Sequence, residues 1–241
     1  MGKLQNEDRE TISVMSALAV EVAFTRWIVP AFEAASNLDV RLLWDPTTVL
    51  MQRIENGERA DVIIAVSGSM NALVDAKVVL GRSVVEIAQA GLGLAVKSGA
   101  PHPATTTSDE FMNTLMNARA VAYSKGGASG IYFSELIARL GIADQINKRA
   151  VTIPAGFTAE KVASGEADLA VQQISELMSV EGVEVIGPFP AEYQKTTNFA
   201  AAVFSDAVNP EGAARFIQAL LTEDAQKAYR EGGLTSLVGA T

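Results

Sequence analysis

The chain has 241 residues, of which 49% are hydrophobic and 20% are charged, so it can bury a sizeable core. The formal net charge is −9, and Lys and Arg never cluster beyond a pair, which disfavours a nucleic-acid partner. The absence of cysteine excludes a disulfide framework, a thiolate zinc site and a cysteine nucleophile. The single histidine, His102, lies between two prolines and is expected to be a solvated loop residue. A histidine metal site or a Ser-His-Asp triad is therefore poorly supported, and we expect no metal and no cofactor.

Two features of the sequence bear on where the protein resides. No run of 18 apolar residues occurs, so we expect no membrane-spanning helix. The N-terminal stretch MGKLQNEDRE is polar and is not a signal peptide as it stands. The protein is then either cytosolic or the mature form of an exported chain. We expect the periplasm, with the cytoplasm as the alternative.

The first 66 residues predict a parallel α/β unit. Residues 11–15 are apolar-rich and predict a strand. A helical stripe from Val20 to Ala31 follows, in which Pro30 should kink or break the helix. A second strand at 40–44, a helix at about 49–56 and a fully apolar third strand at 60–66 complete the unit.

Small hydroxyl-bearing residues follow the three predicted strands. Ser16 and Ala17 end the first strand, Thr47 and Thr48 follow the second, and Ser67 and Ser69 follow the third. Taken singly, each hydroxyl is more often a helix N-cap. Because ligands of open α/β sheets bind beyond the carboxyl ends of the strands, the group as a whole predicts a cleft lined by hydrogen-bond donors.

A second α/β unit follows a long β-rich crossing segment at 83–96. The predicted elements of this unit are a helix at 108–117, strands at 120–123, 150–153, 167–171 and 183–186, and helices after residues 130 and 158. Residues 197–204 cross back. A helix begins at Asn209, and a final helix begins at Glu223 and ends near Gly232. This unit is shaped like the first.

The segment Ser124-Lys-Gly-Gly-Ala-Ser-Gly130 connects a predicted strand to a predicted helix that ends at Gly141. The first N–H groups of such a helix have no intrahelical partners and favour an anion. Gly126, Gly127 and Gly130 would let a ligand approach the backbone, and Ser129 would cap the helix or donate to the ligand. The loop could equally be a tight turn with a capping serine, and the segment alone leaves both interpretations open.

The fold class predicted from this pattern is α/β, with two Rossmann-like lobes joined by two crossing strands and a ligand cleft between them. Lobe 1 is predicted to contain residues 1–84 and 202–241, and lobe 2 residues 85–201, including the crossing strands. Hinge closure over a ligand is the expected motion.

Four segments carry a resemblance to a known family; they are TISVMSAL, VLMQRIENGERADVIIAVS, AYSKGGASGIYFSELIARLGI and DAVNPEGAARFIQALLTEDAQKAYREGG. From about Thr11 to Gly233 the chain resembles the periplasmic binding protein fold of the second type, and in particular the molybdate-binding-protein-like solute receptors. The resemblance implies a tetrahedral oxyanion held between the lobes by hydroxyls and backbone N–H groups.

The resemblance also implies positions for the ligand contacts. The serine of the first strand is similar to Ser16, or to Ala19 if the alignment slips. The serine-rich segment before the second helix is similar to residues 45–48, and the loop that offers a backbone amide to residues 128–130. The tyrosine that many molybdate receptors carry after a late strand is replaced by Gln172 or Gln173, which departs from the molybdate pattern.

The glutamine pair and the extra hydroxyls suit a carboxylate better than a compact oxyanion. Arg82, at the start of the crossing segment, could pair with a carboxylate, although it could also be a solvated hinge residue. Members of the broad family that share the crossing pattern VEIAxxGxGxAV (residues 85–96) and a GGASG loop include aconitate isomerases, so that activity is an alternative.

We therefore expect a solute receptor, the extracellular component of an ABC transporter, whose closed form binds a small anion and docks on the permease as a monomer. The anion would be an organic carboxylate or a tetrahedral oxyanion. The predicted ligand-binding residues are Ser16, Ala17, Thr47, Thr48, Ser67, Arg82, Gly127, Ser129, Gly130, Gln172 and Gln173. The alternative is an enzyme that moves a proton in a small tricarboxylate, for which Tyr132, Lys125, Asp45 or a serine hydroxyl could be the base. A cytosolic sensor domain is a third possibility.

Overall fold

The computed structural model describes residues 9–239. The first half of the chain alternates strands and helices, as the hydrophobic pattern predicts. Strands β1 (Thr11–Ser16), β2 (Asp39–Trp44) and β3 (Val62–Val66) are parallel, with β1 between the other two. The helices of this half are α1 (Glu21–Ala23), α2 (Val29–Ser36), α3 (Thr47–Glu55) and α4 (Ser67–Asp75).

The helical stretch that contains Pro30 is not broken. A π-helical segment, Phe24–Ile28, joins α1 directly to α2, and Pro30 lies in the first turn of α2. Proline has no N–H to donate to a preceding carbonyl, and the wider π turn just before it is a known way for a helix to accommodate an irregularity. The expected break is therefore absent and the helix changes type just before Pro30, while the expected kink stays a prediction.

Strand β4 (Val85–Lys97) is the first crossing strand. It leads into the second half of the chain, whose elements are α5 (Ser108–Asn117), β5 (Val121–Ser124), α6 (Ala128–Arg139), α7 (Ala143–Asn147), β6 (Val151–Ile153), α8 (Ala159–Ala163), β7 (Leu169–Gln173), α9 (Ile174–Leu177) and β8 (Val183–Pro188). Strand β9 (Thr196–Val203) returns, and α10 (Pro210–Ala219), α11 (Glu223–Glu231) and β10 (Thr235–Ser236) follow.

The strands are ordered β2-β1-β3-β9-β4-β7-β5-β6, and β8 and β10 also pair with β4. Strand β4 belongs to both halves of this arrangement. Its residues 85–91 pair with β9, whereas its residues 92–95 pair with β7. We call the strands β2, β1, β3 and β9, with the part of β4 that pairs with β9 and the helices on them, lobe 1. The strands β7, β5 and β6, with the rest of β4 and the helices on them, form lobe 2. The division of the chain at residues 85 and 201 stays a prediction.

Each lobe has an apolar core on both faces of its sheet. Along β3, Val62 and Ile64 pack on one face with the helices α2, α10 and α11, and Ile63 and Ala65 pack on the other face with α3 and α4. This alternation explains why the strand is apolar throughout, since a parallel strand covered on both sides has no solvent face. Lobe 2 repeats the arrangement around β5 and β7.

A buried carboxylate ties three elements of lobe 1 together. Asp61 is 2% exposed, and its Oδ2 accepts hydrogen bonds from the backbone N and the Oγ of Ser13, both at 2.7 Å. Its Oδ1 accepts one from the backbone N of Asn209 at 2.7 Å, just before α10. Burial raises the pKa of Asp61, but these donors outweigh it and leave the pKa lowered.

Most predicted elements are confirmed, and helix 108–117 has the bounds that the sequence predicts. Gly141 follows α6 with φ +73°, a left-handed conformation typical of the residue after a helix. The short elements α7, α9 and β10 and the helix α4 were not predicted. Within residues 9–239 no helix has both the length and the apolar character needed to cross a membrane.

Candidate functional site

A cavity of about 230 Å³ lies between the lobes, where the parallel strands end. Lobe 1 provides one wall from the ends of β1 and β3 and the starts of α3 and α4. Lobe 2 provides the other wall from the glycine loop and α9. The lining residues are Ala17, Leu18, Ala19, Pro46, Thr47, Thr48, Val66, Ser69, Gly126, Gly127, Ala128, Ser129, Ile131, Gln173, Glu176 and Phe199.

On the lobe 1 wall, the first turn of α3 is held in place by its own threonine. Thr47 Oγ1 accepts a hydrogen bond from the backbone N of Val66 at 3.1 Å, which ties the start of α3 to the end of β3. No side-chain cap satisfies the N-terminus of either α3 or α4. The first N–H groups of both helices are therefore free to face a ligand.

On the lobe 2 wall, the glycine loop brings the start of α6 against the end of β5. A Cβ on Gly130 would overlap the carbonyl oxygen of Ser124 and lie 2.7 Å from its hydroxyl, so only glycine fits there. No side chain caps α6. Ser129, at its second position, is 5% exposed and lines the cavity. The glycines thus permit a close strand-to-helix approach that leaves the first N–H groups of α6 at the cavity.

The two walls are joined by a direct hydrogen bond. Thr48 Oγ1, on α3, donates to the backbone carbonyl oxygen of Gly126 at 3.1 Å. Because the bond connects lobe 1 to the glycine loop of lobe 2, it exists only when the lobes are close together.

The third wall element is α9, which carries the one titratable side chain among the lining residues. Glu176 lies at the third position of this short helix, and the backbone N of Gln173 donates to its Oε2 at 3.4 Å. Burial raises the pKa of Glu176 to about 7, and the hydrogen bonds from Gln173 and from the side chain of Gln172 oppose the rise.

The electrostatic character of the cavity follows from its backbone. Three helices, α3, α4 and α6, begin at its walls, and the positive end of each helix dipole is directed toward it. No Lys, Arg or His is among the lining residues. The cavity therefore offers an anion neutral donors rather than a counter-charge.

Six of the predicted site residues line this cavity. They are Ala17, Thr47, Thr48, Gly127, Ser129 and Gln173. They come from both lobes, and the fold brings them together from positions up to 156 residues apart in the chain, between Ala17 and Gln173. The backbone N–H of Ala17 is already engaged, because it donates to the carbonyl oxygen of Ile64 at 2.9 Å.

Five predicted site residues lie outside the lining. Ser16 is fully buried, and its Oγ donates to the carbonyl oxygen of Ala17 at 3.3 Å. Ser67 donates its hydroxyl to Glu86 Oε2 at 2.7 Å. Gly130 lies behind Ser129. These three are next to the cavity and support its walls.

Gln172 and Arg82 do not line the cavity either. The Oε1 of Gln172 accepts from the backbone N of Thr158 at 2.8 Å and from its Oγ1 at 2.9 Å, so this side chain supports the loop before α8. Arg82 is exposed and lies in a short 3-10 turn before β4, six residues before Ala88, which pairs with the cavity-lining Phe199.

Three of the proton acceptors considered for an enzyme, Asp45, Tyr132 and Lys125, also lie outside the lining, whereas the serines Ser69 and Ser129 line the cavity. Asp45 Oδ2 accepts from Arg53 Nε at 2.8 Å, and the Tyr132 hydroxyl donates to the carbonyl oxygen of Tyr193 at 2.9 Å. Lys125 is exposed. Within residues 9–239 there is also no group of three or more His, Cys, Asp or Glu residues that could hold a metal ion.

Sequence reasoning missed Glu176 and the apolar lining residues Leu18, Ile131 and Phe199, whereas Ser69, expected with Ser67 at the end of the third strand, does line the cavity. Glu176 had a recognisable signal, since a glutamate three residues after a strand-ending Gln173 is the spacing at which a glutamate reaches back to cap a helix. The apolar residues had none, because their exposure to the cavity depends on how the lobes face each other.

Two α/β lobes that share a crossing strand, with an anion-suited cavity at the carboxyl ends of their strands, define a solute-binding protein of the periplasmic type. The family model described as bacterial extracellular solute-binding protein matches residues 12–235. The chain therefore belongs to this family, in which binding of a small solute is the general role.

Individual relatives agree with this assignment. An aconitate isomerase from a Pseudomonas species is 34% identical over 230 residues, which cover 93% of this chain and 87% of the relative. The periplasmic molybdate-binding protein of Azotobacter vinelandii has a TM-score of 0.78 at 17% identity, over 93% of this chain and 98% of that one. The sulfate-binding protein of Mycobacterium tuberculosis has a TM-score of 0.74 at 15% identity, over 96% of this chain and 88% of that one. At such low identity the two structures establish the fold alone.

Proposed function

We propose that the cavity between the lobes binds a small organic anion and that the protein is a periplasmic solute receptor that delivers this anion to an ABC permease. The observation that carries the proposal is the convergence of three uncapped helix N-termini, from α3, α4 and α6, on one cavity. An anion there accepts hydrogen bonds from both lobes at once, which favours the closed state.

Size and lining favour a carboxylate over a tetrahedral oxyanion. The cavity of about 230 Å³ is smaller than the roughly 300–1,000 Å³ of pockets for drug-sized ligands, yet many times the roughly 10–15 Å³ that one water needs. Leu18, Ile131 and Phe199 give it apolar surface as well as donors. A di- or tricarboxylate brings a carbon skeleton to cover that surface, whereas a compact oxyanion would leave it facing water.

A thermal-shift screen followed by calorimetry tests the proposal. The panel contains citrate, cis-aconitate, trans-aconitate, malate, sulfate and molybdate. A ligand at a hundred times its Kd stabilises the folded state by about 2.7 kcal/mol, which for a chain of this length raises Tm by about 5–11 °C. If none of the six anions raises Tm at millimolar concentration, the proposal is wrong.

A pair of serine variants locates the site. Ser129→Ala should weaken binding of the anion by about tenfold or more, because a hydrogen bond to a charged group contributes about 1.5–3 kcal/mol. Ser134→Ala is the matched control, since Ser134 lies on the exposed face of the same helix. Equal affinities of both variants and the wild type would place the ligand elsewhere.

We propose in addition that the receptor is a monomer, as expected for a protein whose two lobes close on a ligand and together face one permease. Light scattering coupled to size-exclusion chromatography checks this point. A mass of one chain, with and without ligand, is the expected result, and a mass of two chains contradicts it.

A second candidate function is isomerisation of a small tricarboxylate. The observation that favours it is the aconitate isomerase that is 34% identical over 93% of this chain. Since a receptor and an isomerase would use the same cavity, binding alone does not separate them. A ¹H NMR time course with cis-aconitate does, and its failure to convert at high protein concentration would eliminate the isomerase.

A further inference from the structure

Glu176 is unusual for a cavity that suits an anion. Every other lining residue of the cavity is neutral, so a carboxyl group there would repel an anion unless it carries a proton. We propose that Glu176 is the acid–base residue of the cleft, which takes a carbon-bound proton from a bound tricarboxylate and returns it to another carbon. The proposal rests on the second candidate function and assigns its catalytic residue.

The fold holds Glu176 where the two lobes meet. Helix α9 packs on β4 so closely that a Cβ on Gly93 would lie 2.6 Å from Ile174 Cγ1. On its other side, a Cβ on Gly233 would lie 2.6 Å from Met178 Sδ. Because Gly233 follows α11 of lobe 1, the short helix is wedged between the lobes. A carboxyl group in this position faces a ligand held by both walls.

The protonation equilibrium of Glu176 suits an acid–base role. Its pKa of about 7 lies near neutral pH, where a general base is half ionised and its conjugate acid can still return the proton. The elements that pack against α9 are β4, β7, β8, α1 and the turn Leu18–Val20, together with the uncharged residue Gly233 after α11. Their charged residues are Glu86 and Lys97 on β4, Glu184 on β8 and Glu21 on α1, and none of the four lines the cavity.

The chemistry needs no group other than the carboxyl and the donors. An aconitate ion has a methylene carbon between a carboxylate and a carbon–carbon double bond. The Glu176 carboxylate removes a proton from this methylene, so that a C–H bond breaks, an O–H bond forms and the electron pair spreads over the three-carbon unit. The O–H bond then breaks as the proton is returned to the far carbon, and the double bond has moved by one position.

The cavity stabilises the intermediate of this shift in two ways. The N–H groups at the start of α6, with the hydroxyl of Ser129, face the oxygens on which the negative charge accumulates. Glu176 is neutral at that stage, so that no second negative charge lies beside the ligand. A simple structural role for Glu176 exists too, since it caps α9 through the 3.4 Å hydrogen bond from Gln173.

The experiment uses the full chain and cis-aconitate in deuterium oxide near neutral pH, followed by ¹H NMR. Wild-type protein should convert the ligand and place deuterium on carbon. Glu176→Gln should slow both processes by about 100- to 10,000-fold, the usual contribution of a general base. Calorimetry should show that this variant still binds cis-aconitate with at least the wild-type affinity. Glu181→Gln, on an exposed residue that follows α9 and lies outside the cavity lining, should behave as wild type.

The outcomes separate the proposal from the functions on which it builds. If Glu176→Gln retains isomerisation within threefold of wild type, Glu176 is not the base, and the isomerase function stands. If wild type binds cis-aconitate but neither converts it nor exchanges its protons, the isomerase function fails and the role of Glu176 fails with it, while the receptor remains. Should Glu176→Gln not fold, Glu176→Asp should retain a slowed reaction with the same pH dependence, and unchanged kinetics in that variant would contradict the proposal.

Discussion

The glycine loop allows the sharpest test of how the site is built, because two glycines at similar helix positions have opposite surroundings. Gly130 is the third residue of α6, and Gly68 is the second residue of α4. A Cβ on Gly68 would meet nothing within 4 Å, whereas a Cβ on Gly130 would overlap the backbone of Ser124, with its carbonyl carbon at 2.6 Å. On helix propensity alone, Ala would stabilise either position by about 0.5–1 kcal/mol.

The expected effects follow from these distances. Gly68→Ala should keep the propensity gain, and Tm should rise by about 1–4 °C. Gly130→Ala must push α6 away from β5, and since the neighbouring atoms are backbone, the cost should reach or exceed the roughly 1–3 kcal/mol of an overpacked core. After the propensity gain, a net loss of about 1–2 kcal/mol should lower Tm by about 2–8 °C. The anion should also bind more weakly, because the N–H groups of α6 move with the helix.

The assay is thermal and urea unfolding by far-UV circular dichroism, with calorimetry for binding. Tryptophan fluorescence is unsuitable for Gly130, since both tryptophans, Trp27 and Trp44, belong to lobe 1. If Gly130→Ala has the stability and affinity of the wild type, then the close approach of α6 to Ser124 does not constrain the site, and the account of the glycine loop is wrong.

Two further predictions concern the framework of the cleft. Asp61→Asn should destabilise the protein by about 2–3 kcal/mol in urea unfolding near neutral pH. The two carboxylate oxygens of Asp61 accept hydrogen bonds from Ser13 and Asn209, whereas the amide of Asn has only one oxygen that can accept, and its NH2 group would face a donor. Since the folded-state pKa of Asp61 is lowered, this difference should be constant above about pH 5 and shrink progressively as the pH falls below about 4, toward the folded-state pKa; a difference that grows on acidification contradicts it. Thr48→Val removes the hydrogen bond to Gly126 and should weaken anion binding by about two- to tenfold, with a larger radius of gyration in solution scattering; unchanged affinity contradicts a role in closure.

Most helices and strands could be predicted from the sequence because these elements are long and have a regular hydrophobic pattern. Strand β3 is apolar throughout, and α5 begins at the capping residue Thr107, whose side chain accepts a hydrogen bond from the backbone N of Glu110 at 3.3 Å. Both signals are local, so no knowledge of the partner elements is needed. The four-residue helix α9 is too short to show a helical period and was missed for that reason.

The candidate site could be predicted only in part, because cavity exposure depends on side-chain direction and on register. Gln172 and Gln173 end the same strand, and successive side chains of a strand point to opposite faces, so only Gln173 lines the cavity while Gln172 binds Thr158. That alternation was available from the sequence. The position of Arg82 was not, since it depends on which part of β4 reaches the cleft, and this is fixed by pairing with a strand more than 100 residues later.

The pH dependence of the cleft is the last prediction, and it follows from the sign of one charge. Below about pH 7 Glu176 is mainly a neutral acid, which would donate a hydrogen bond to a bound anion, whereas above pH 7 it is mainly ionised and would repel the anion. If the anion binds the protonated form, its Kd should rise by up to tenfold per pH unit above 7, and Glu176→Gln should abolish this dependence. If the ionised form of Glu176 is the base, the rate should depend on pH in the opposite sense to the affinity. The value of kcat/KM should then rise through pH 7 while the affinity for the anion falls. In the complex the anion raises the pKa of Glu176, so the rise in kcat should occur at a higher pH than the rise in kcat/KM. An affinity that is constant from pH 6 to pH 9 in the wild type would show that Glu176 does not face the bound anion, whichever function the protein has.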